Sequence, residues 1–152
     1  NAMSELHPAL FEKKGQELGV GEWLEITQER VDQFADATDD HQWIHTDPER
    51  ASDGPYGGTI GHGFLTLALV LRLGRGIGPK PENIKMSVNY GLNKVRFPAP
   101  VPVGSRIRAR VKNLDVEMVN ENTVQVINQI TVEVEGGAKP ACVAELIGRH
   151  TS

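Results

Sequence analysis

Cysteine is almost absent: Cys142 is the only one in 152 residues. A single thiol excludes an intramolecular disulfide and any cysteine-based zinc cluster, and it fits a reducing compartment. Basic charge is also in deficit. With 16 Lys and Arg against 20 Asp and Glu, the formal net charge is −4. That argues against nucleic acid as a partner, because phosphate contacts need a basic surface. Long hydrophobic runs are missing too. The longest, Phe64–Leu73 (FLTLALVLRL), is far short of the roughly 20 residues that a membrane-spanning helix requires. No charged segment followed by an apolar one opens the chain, so no secretory signal is expected and the expected compartment is the cytoplasm. Ser52 and Ser87 lie outside any nucleophile-elbow pattern. Asn1-Ala2-Met3 reads as a tag remnant before a natural start, and residues 1 and 2 are left out of the fold reading.

What is present describes one globular domain spanning residues 1–152. Hydrophobic residues make up 39% and charged residues 24%, the balance of a chain with a real core. A short strand is expected near Glu22–Ile26. Thr27 can cap a helix running to about Ala37, with Val31, Phe34 and Ala35 repeating at i, i+3 and i+4. Ile26 and Val31 flank that cap as a hydrophobic staple. Asp47-Pro48-Glu49 has the order of a second helix start: capping Asp, then Pro, then an acidic first turn.

Phe64–Leu73 is apolar on nearly every side, so the spacing predicts a helix wrapped by other elements. From Ile84 onward the period changes to two. Ile107, Ala109 and Val111 alternate with Arg106, Arg108 and Arg110, and Val124, Val126, Ile130, Val132 and Val134 share one parity. Asn120-Glu121-Asn122 and Gly136-Gly137 are turn material, with a last strand at Ala141–Gly148. The expected class is α+β: an antiparallel sheet curled around one helix. The Arg106, Arg108, Arg110 and Lys112 alternation reads as an exposed sheet face rather than a ligand stripe.

Chemistry concentrates between Asp39 and Gly63. Asp40 and His45 flank the apolar pair Trp43-Ile44, which can tuck in while the carboxylate and imidazole converge. Such a pair can polarise a water and pass on its proton near neutral pH. The plainer alternative makes Asp40 a turn residue and His45 a half-buried one. Gly61-His62-Gly63 opens the apolar helix, where unpaired N–H groups attract negative charge. Gly63 lets a carbonyl oxygen approach closely and offers an oxyanion donor. Tight packing is the alternative for these glycines, and His62 reads as structural. His41 and His45 have i, i+4 spacing, but the turn residues and Pro48 oppose the continuous helix a metal site would need. Cys142 reads as a small buried hydrophobe.

FADATDDHQWIHTDPERA (Phe34–Ala51) followed by GGTIGHGFLTLAL resembles the signature of the MaoC-like, (R)-specific enoyl-CoA hydratase family. NYGLNKVRFPAPVPVGSRI (Asn89–Ile107) resembles that family's second stretch, and the DHQWIH variant is most similar to its nodulation-protein-N-like and mycobacterial branch. The resemblance implies a hot-dog fold, a long central helix wrapped by an antiparallel sheet, paired edge to edge as a homodimer. It implies reversible syn hydration of trans-2-enoyl-CoA to (3R)-3-hydroxyacyl-CoA. The family's catalytic Asp and His fall on Asp40 and His45, and its oxyanion N–H falls on Gly63. The acyl-CoA thioester is the substrate, and no metal or redox cofactor is implied. Lys94 and Arg96 are candidates for the CoA phosphates.

Two departures stand out. The family's common Asn-Pro pair is Gln42-Trp43 here, making Gln42 the candidate for the Asn's role in substrate binding, and a frequent Ser is Ala68. Two other functions stay open. A hot-dog thioesterase usually places a carboxylate on the central helix, and Phe64–Leu73 contains none. A non-catalytic acyl-CoA-binding or partner-binding domain would have no need of both Asp40 and His45.

Overall fold

The computed structural model describes residues 7–152; the tag reading at the first residues lies outside them. Helix α1 (Pro8–Glu12) and strands β1 (Glu17–Val20) and β2 (Leu24–Glu25) come first. Helix α2 (Gln28–Thr38) begins where expected: the Thr27 side chain accepts a hydrogen bond from the Arg30 N–H at 3.2 Å. Its buried face carries Val31 and Ala35. Full burial of a side chain such as Val31 contributes about 1.5–3 kcal/mol.

Two short helices follow, α3 (Trp43–Thr46) and α4 (Pro48–Ser52). The α4 cap is the expected Asp47, whose carboxylate accepts from the Arg50 N–H at 3.1 Å. The apolar segment forms α5 (Gly63–Ala68) and α6 (Val70–Leu73), joined at Leu69 with φ −82° and ψ −6°.

Strands β3 (Met86–Arg96), β4 (Arg106–Met118), β5 (Thr123–Val134) and β6 (Cys142–Thr151) complete the chain. The sheet order is β1-β4-β5-β6-β3, with β2 also beside β4, and every pairing is antiparallel. Ile107, Ala109 and Val111 of β4 and Ile130 and Val132 of β5 point inward onto Val31, Leu65, Val70 and Leu73. This is the hot-dog arrangement. A second cluster, Leu10, Val116, Val124 and Val126, packs under α1.

The sheet covers only one side of the α5–α6 helix. Leu65, Thr66, Val70 and Leu73 are buried, whereas Phe64 is 69% and Leu71 49% exposed. Phe64, Ala68 and Leu71 follow each other at i, i+4 and i+7, so the open side is one continuous stripe. Beside it, β3 pairs with β6 and exposes Met86, Val88, Tyr90 and Leu92. The expectation of a helix apolar on all sides was therefore correct as composition, but within one chain it is wrapped on one side.

Candidate active site

The site starts at the end of α2. Asp39 adopts a left-handed conformation (φ 58°, ψ 28°), and its N–H and that of Asp40 both return to the Ala35 carbonyl. This is a common way to stop a helix, and Asp tolerates it better than most residues. The turn leaves Asp40 exposed at the head of the next segment. Gln42 then opens the one-turn helix α3, where the His45 N–H bonds the Gln42 carbonyl at 2.9 Å. Trp43 is half-buried, and the Arg50 guanidinium lies 4.4 Å from its ring centre. Gly54 is needed beneath it, because a Cβ there would stand 3.0 Å from the indole.

His45 is 7% exposed and fixed from several directions. Its Nδ1 lies 2.6 Å from the Ile60 carbonyl. A carbonyl only accepts, so Nδ1 carries the hydrogen and Nε2 keeps its lone pair. Gln28, the first residue of α2, donates to the His45 carbonyl at 2.7 Å and accepts from the Thr59 hydroxyl at 2.6 Å. One side chain thus ties α2, α3 and the loop before α5 together. The His45 pKa lies below the usual histidine value. Burial is the largest cause and His62 adds to it, while the Ile60 carbonyl and the Asp40 charge oppose it. The shift favours the neutral ring.

His62, the residue before α5, is 3% exposed. Its ring stacks on that of His45 with centroids 3.8 Å apart and planes 24° apart. Its Nε2 donates to the Asp40 carbonyl at 3.0 Å. Its Nδ1 is buried without a hydrogen-bond partner. Side-chain donor atoms of Asp40, His45 and His62 all lie within 4.8 Å of one another. This trio is not the grouping that spacing suggested for a metal, since His41 turns outward to pair with Asp36 at 2.8 Å. With His45 Nδ1 and His62 Nε2 donating to carbonyls, lone pairs remain on His45 Nε2, His62 Nδ1 and the Asp40 carboxylate. His62 Nδ1 is closed off from solvent, which leaves His45 Nε2 and the carboxylate as the accessible acceptors.

A cavity of about 300 Å³ opens beside His45, and Gly63, Thr66, Tyr56 and the Phe97–Val101 segment help to line it. Asp40 does not line it; it is exposed, with a carboxylate oxygen within 4.8 Å of a ring nitrogen of His45. Gly63 is the first residue of α5, where N–H groups have no partner within the helix. Its missing side chain has a packing cause: a Cβ would lie 3.2 Å from the Phe97 ring. The two readings of this glycine are compatible, because the ring sits on its Cα while the N–H remains a donor.

The remaining candidates lie apart. The Gln42 side chain is exposed and makes no hydrogen bond among the described residues; only its carbonyl is engaged. Lys94 and Arg96 are exposed on β3, the latter donating to the Val95 carbonyl at 2.7 Å. Arg96 adjoins Phe97 of the cavity wall. Gln28 and Tyr56 were not anticipated. A Gln at the start of a helix carries no local signal of a contact 17 residues away.

The MaoC like domain model matches residues 11–135. The chain is 58% identical over 138 residues to 3-hydroxyacyl-thioester dehydratase Z of Mycobacterium tuberculosis (strain ATCC 25618 / H37Rv), covering 91% of each protein. It is 45% identical over 134 residues to nodulation protein N of Rhizobium leguminosarum bv. viciae, covering 88% of this chain and 83% of that one. In fold, it is similar to the R-hydratase PhaJ1 from Pseudomonas aeruginosa, with a TM-score of 0.67 and 22% identity over 89% of this chain and 79% of that one.

Proposed function

The chain belongs to the MaoC-like domain family, and on that premise we propose that it is an (R)-specific enoyl-thioester hydratase. It adds water reversibly to a trans-2-enoyl-CoA, giving the (3R)-3-hydroxyacyl-CoA. The observation that carries this reading is an Asp40 carboxylate oxygen within 4.8 Å of a ring nitrogen of His45, which lines a cavity together with Gly63. His45 Nε2 and the Asp40 carboxylate hold a water and accept a proton as its oxygen bonds C3. Electrons of the C2=C3 bond move onto the thioester oxygen, which the Gly63 N–H stabilises. The pair then returns a proton to C2 as the enolate collapses. Both additions come from the same side of the substrate, as syn hydration requires.

These groups complete the reaction without a resident metal or redox cofactor; the CoA thioester is itself the substrate. Lys94 and Arg96, exposed cations beside the cavity wall, would meet its phosphates. The open stripe of Phe64 and Leu71 beside the exposed strand β3 supports a homodimer: a second copy pairing β3 to β3 would extend the sheet and cover both. Sedimentation only at the monomer mass of 16.6 kDa would remove that part of the reading. No helix among the described residues is long and apolar enough to cross a membrane. Burial raises the Cys142 pKa to about 11, and this unreactive lone thiol fits the cytoplasm. The whole chain acts as one domain, since the sheet takes strands from both ends.

The test is incubation with crotonyl-CoA, following loss of the enoyl absorbance and the chirality of the product. The (3R) alcohol is expected. Product of (3S) configuration would overturn the reading, and release of free CoA thiol would replace it with a thioesterase.

A further inference from the structure

Within the hydratase reading, we propose that His62 is a positioning residue of the acid–base pair, a single side chain that holds both of its members against the helix carrying Gly63. The sequence alone marked His62 as structural. Its surroundings assign it more.

Three contacts meet on this one ring. The Nε2–H donates to the Asp40 carbonyl at 3.0 Å, which fixes the backbone that presents the carboxylate. One face stacks on His45 at 3.8 Å, which limits rotation of the catalytic imidazole about its Nδ1–Ile60 hydrogen bond. The backbone leads directly into Gly63, the first residue of α5. The loop that brings the acid–base pair and the helix that brings the oxyanion donor are separate in sequence. His62 is where they touch. Asp40 itself is exposed, and apart from its own N–H the Nε2 bond is the hydrogen bond that holds its peptide.

A packing role alone fits poorly. Phe34 lies 4.9 Å from the His62 ring centre, so the neighbourhood would accept another aromatic hydrocarbon. Instead an imidazole is buried with one nitrogen unpartnered. An unsatisfied buried acceptor is destabilising, and such exceptions call for an explanation in function. The titratable groups against His62 are Asp40 and His45. Two stacked imidazoles resist sharing positive charge, so His62 also favours the neutral, proton-accepting form of His45.

The test compares His62→Phe with His62→Gln in the full chain. Phe keeps the ring and volume but loses the donor. Gln keeps an amide N–H at nearly the reach of Nε2 but loses the ring. With crotonyl-CoA, H62F is expected to retain the wild-type melting temperature and KM while kcat falls about 10–100-fold, the usual penalty for a reacting group displaced by about 1 Å. H62Q should recover part of the lost kcat. In ¹⁵N-edited imidazole spectra, His45 should titrate at higher pH in H62F than in wild type. Unchanged kcat and unchanged His45 titration in H62F would overturn the proposal. So would a loss of kcat matched by a lower melting temperature with the His45 titration unmoved. The spectra need no turnover, so if the wild-type chain hydrates no enoyl thioester, the functional reading fails while the hold of His62 on His45 is still decided.

Discussion

The outer face of the sheet and the Asp39–Gly63 segment are both dense in polar and ionisable side chains, and they dispose of them in opposite ways. On the sheet, Arg108 and Arg110 share Glu133 at 2.8 and 3.3 Å, and Arg106 pairs with Glu135. Trp23 lies under Arg108, 4.2 Å from ring centre to guanidinium. Every one of these charges has a partner and contact with water. In the segment, His45 and His62 are buried, one His62 nitrogen has no partner, and His45 lines a cavity. The difference shows that density of charge does not mark a site. Burial that leaves chemistry unfinished beside a carboxylate and a cavity does.

The sharpest way to break this comparison is to remove the unfinished groups. Asp40→Asn and His45→Gln should each lower kcat for hydration about 10²–10⁴-fold, the range for loss of a positioned acid or base. Because Asp40 is exposed, D40N should melt within about 1 °C of wild type. H45Q leaves the Ile60 carbonyl with a changed partner in a buried position, so a lower melting temperature accompanies its loss of rate. If both variants hydrated crotonyl-CoA at the full rate, the roles assigned here would fail even with the fold intact.

A smaller effect comes from pH. The folded His45 pKa lies below the ordinary value near 6.5, chiefly through burial. Protonation removes the Nε2 lone pair, so the acid limb of kcat/KM in the hydration direction should fall below pH 6.5. The stability linkage has the same sign. The unfolded chain binds the His45 proton more readily, so this contribution is complete above about 6.5 and is lost as pH falls through the folded value. An acid limb at or above 6.5 would show that neutral His45 is not the species that acts.

Much of this division was legible in the sequence, and the exceptions have physical causes. The Thr27 and Asp47 caps and the Asn120–Asn122 turn are local signals, and they appear where expected. Strand β1 was missed because Gly19, with φ 144°, sits at an irregularity in its pairing with β4 and breaks the alternation. Helix α3 is a single turn, too short for periodicity to register. The open side of α5–α6 could not be told from a buried one, since composition does not say whether the covering surface belongs to the same chain. The convergence of Asp40 and His45 was legible from the apolar pair between them, which could tuck in and bring the two together. Gln28 and His62 were not, because their roles lie in long-range hydrogen bonds and a ring stack.

The smallest expected effect sharpens the comparison from the other side. Two guanidinium groups hold the Glu133 carboxyl below its usual range, hydrogen bonding to Arg108 being the largest cause. Like His45, it is held away from its ordinary value. Yet its side chain is 30% exposed, and water screens most of what the pairing gains. Glu133→Gln should therefore lower stability by less than about 1 kcal/mol, read as the urea midpoint with an unchanged m-value. Its kcat and KM for crotonyl-CoA should match wild type. A fall in kcat of tenfold or more at unchanged stability would mean that the ladder on β4 and β5 reaches the site through the sheet, and burial would no longer separate the two regions.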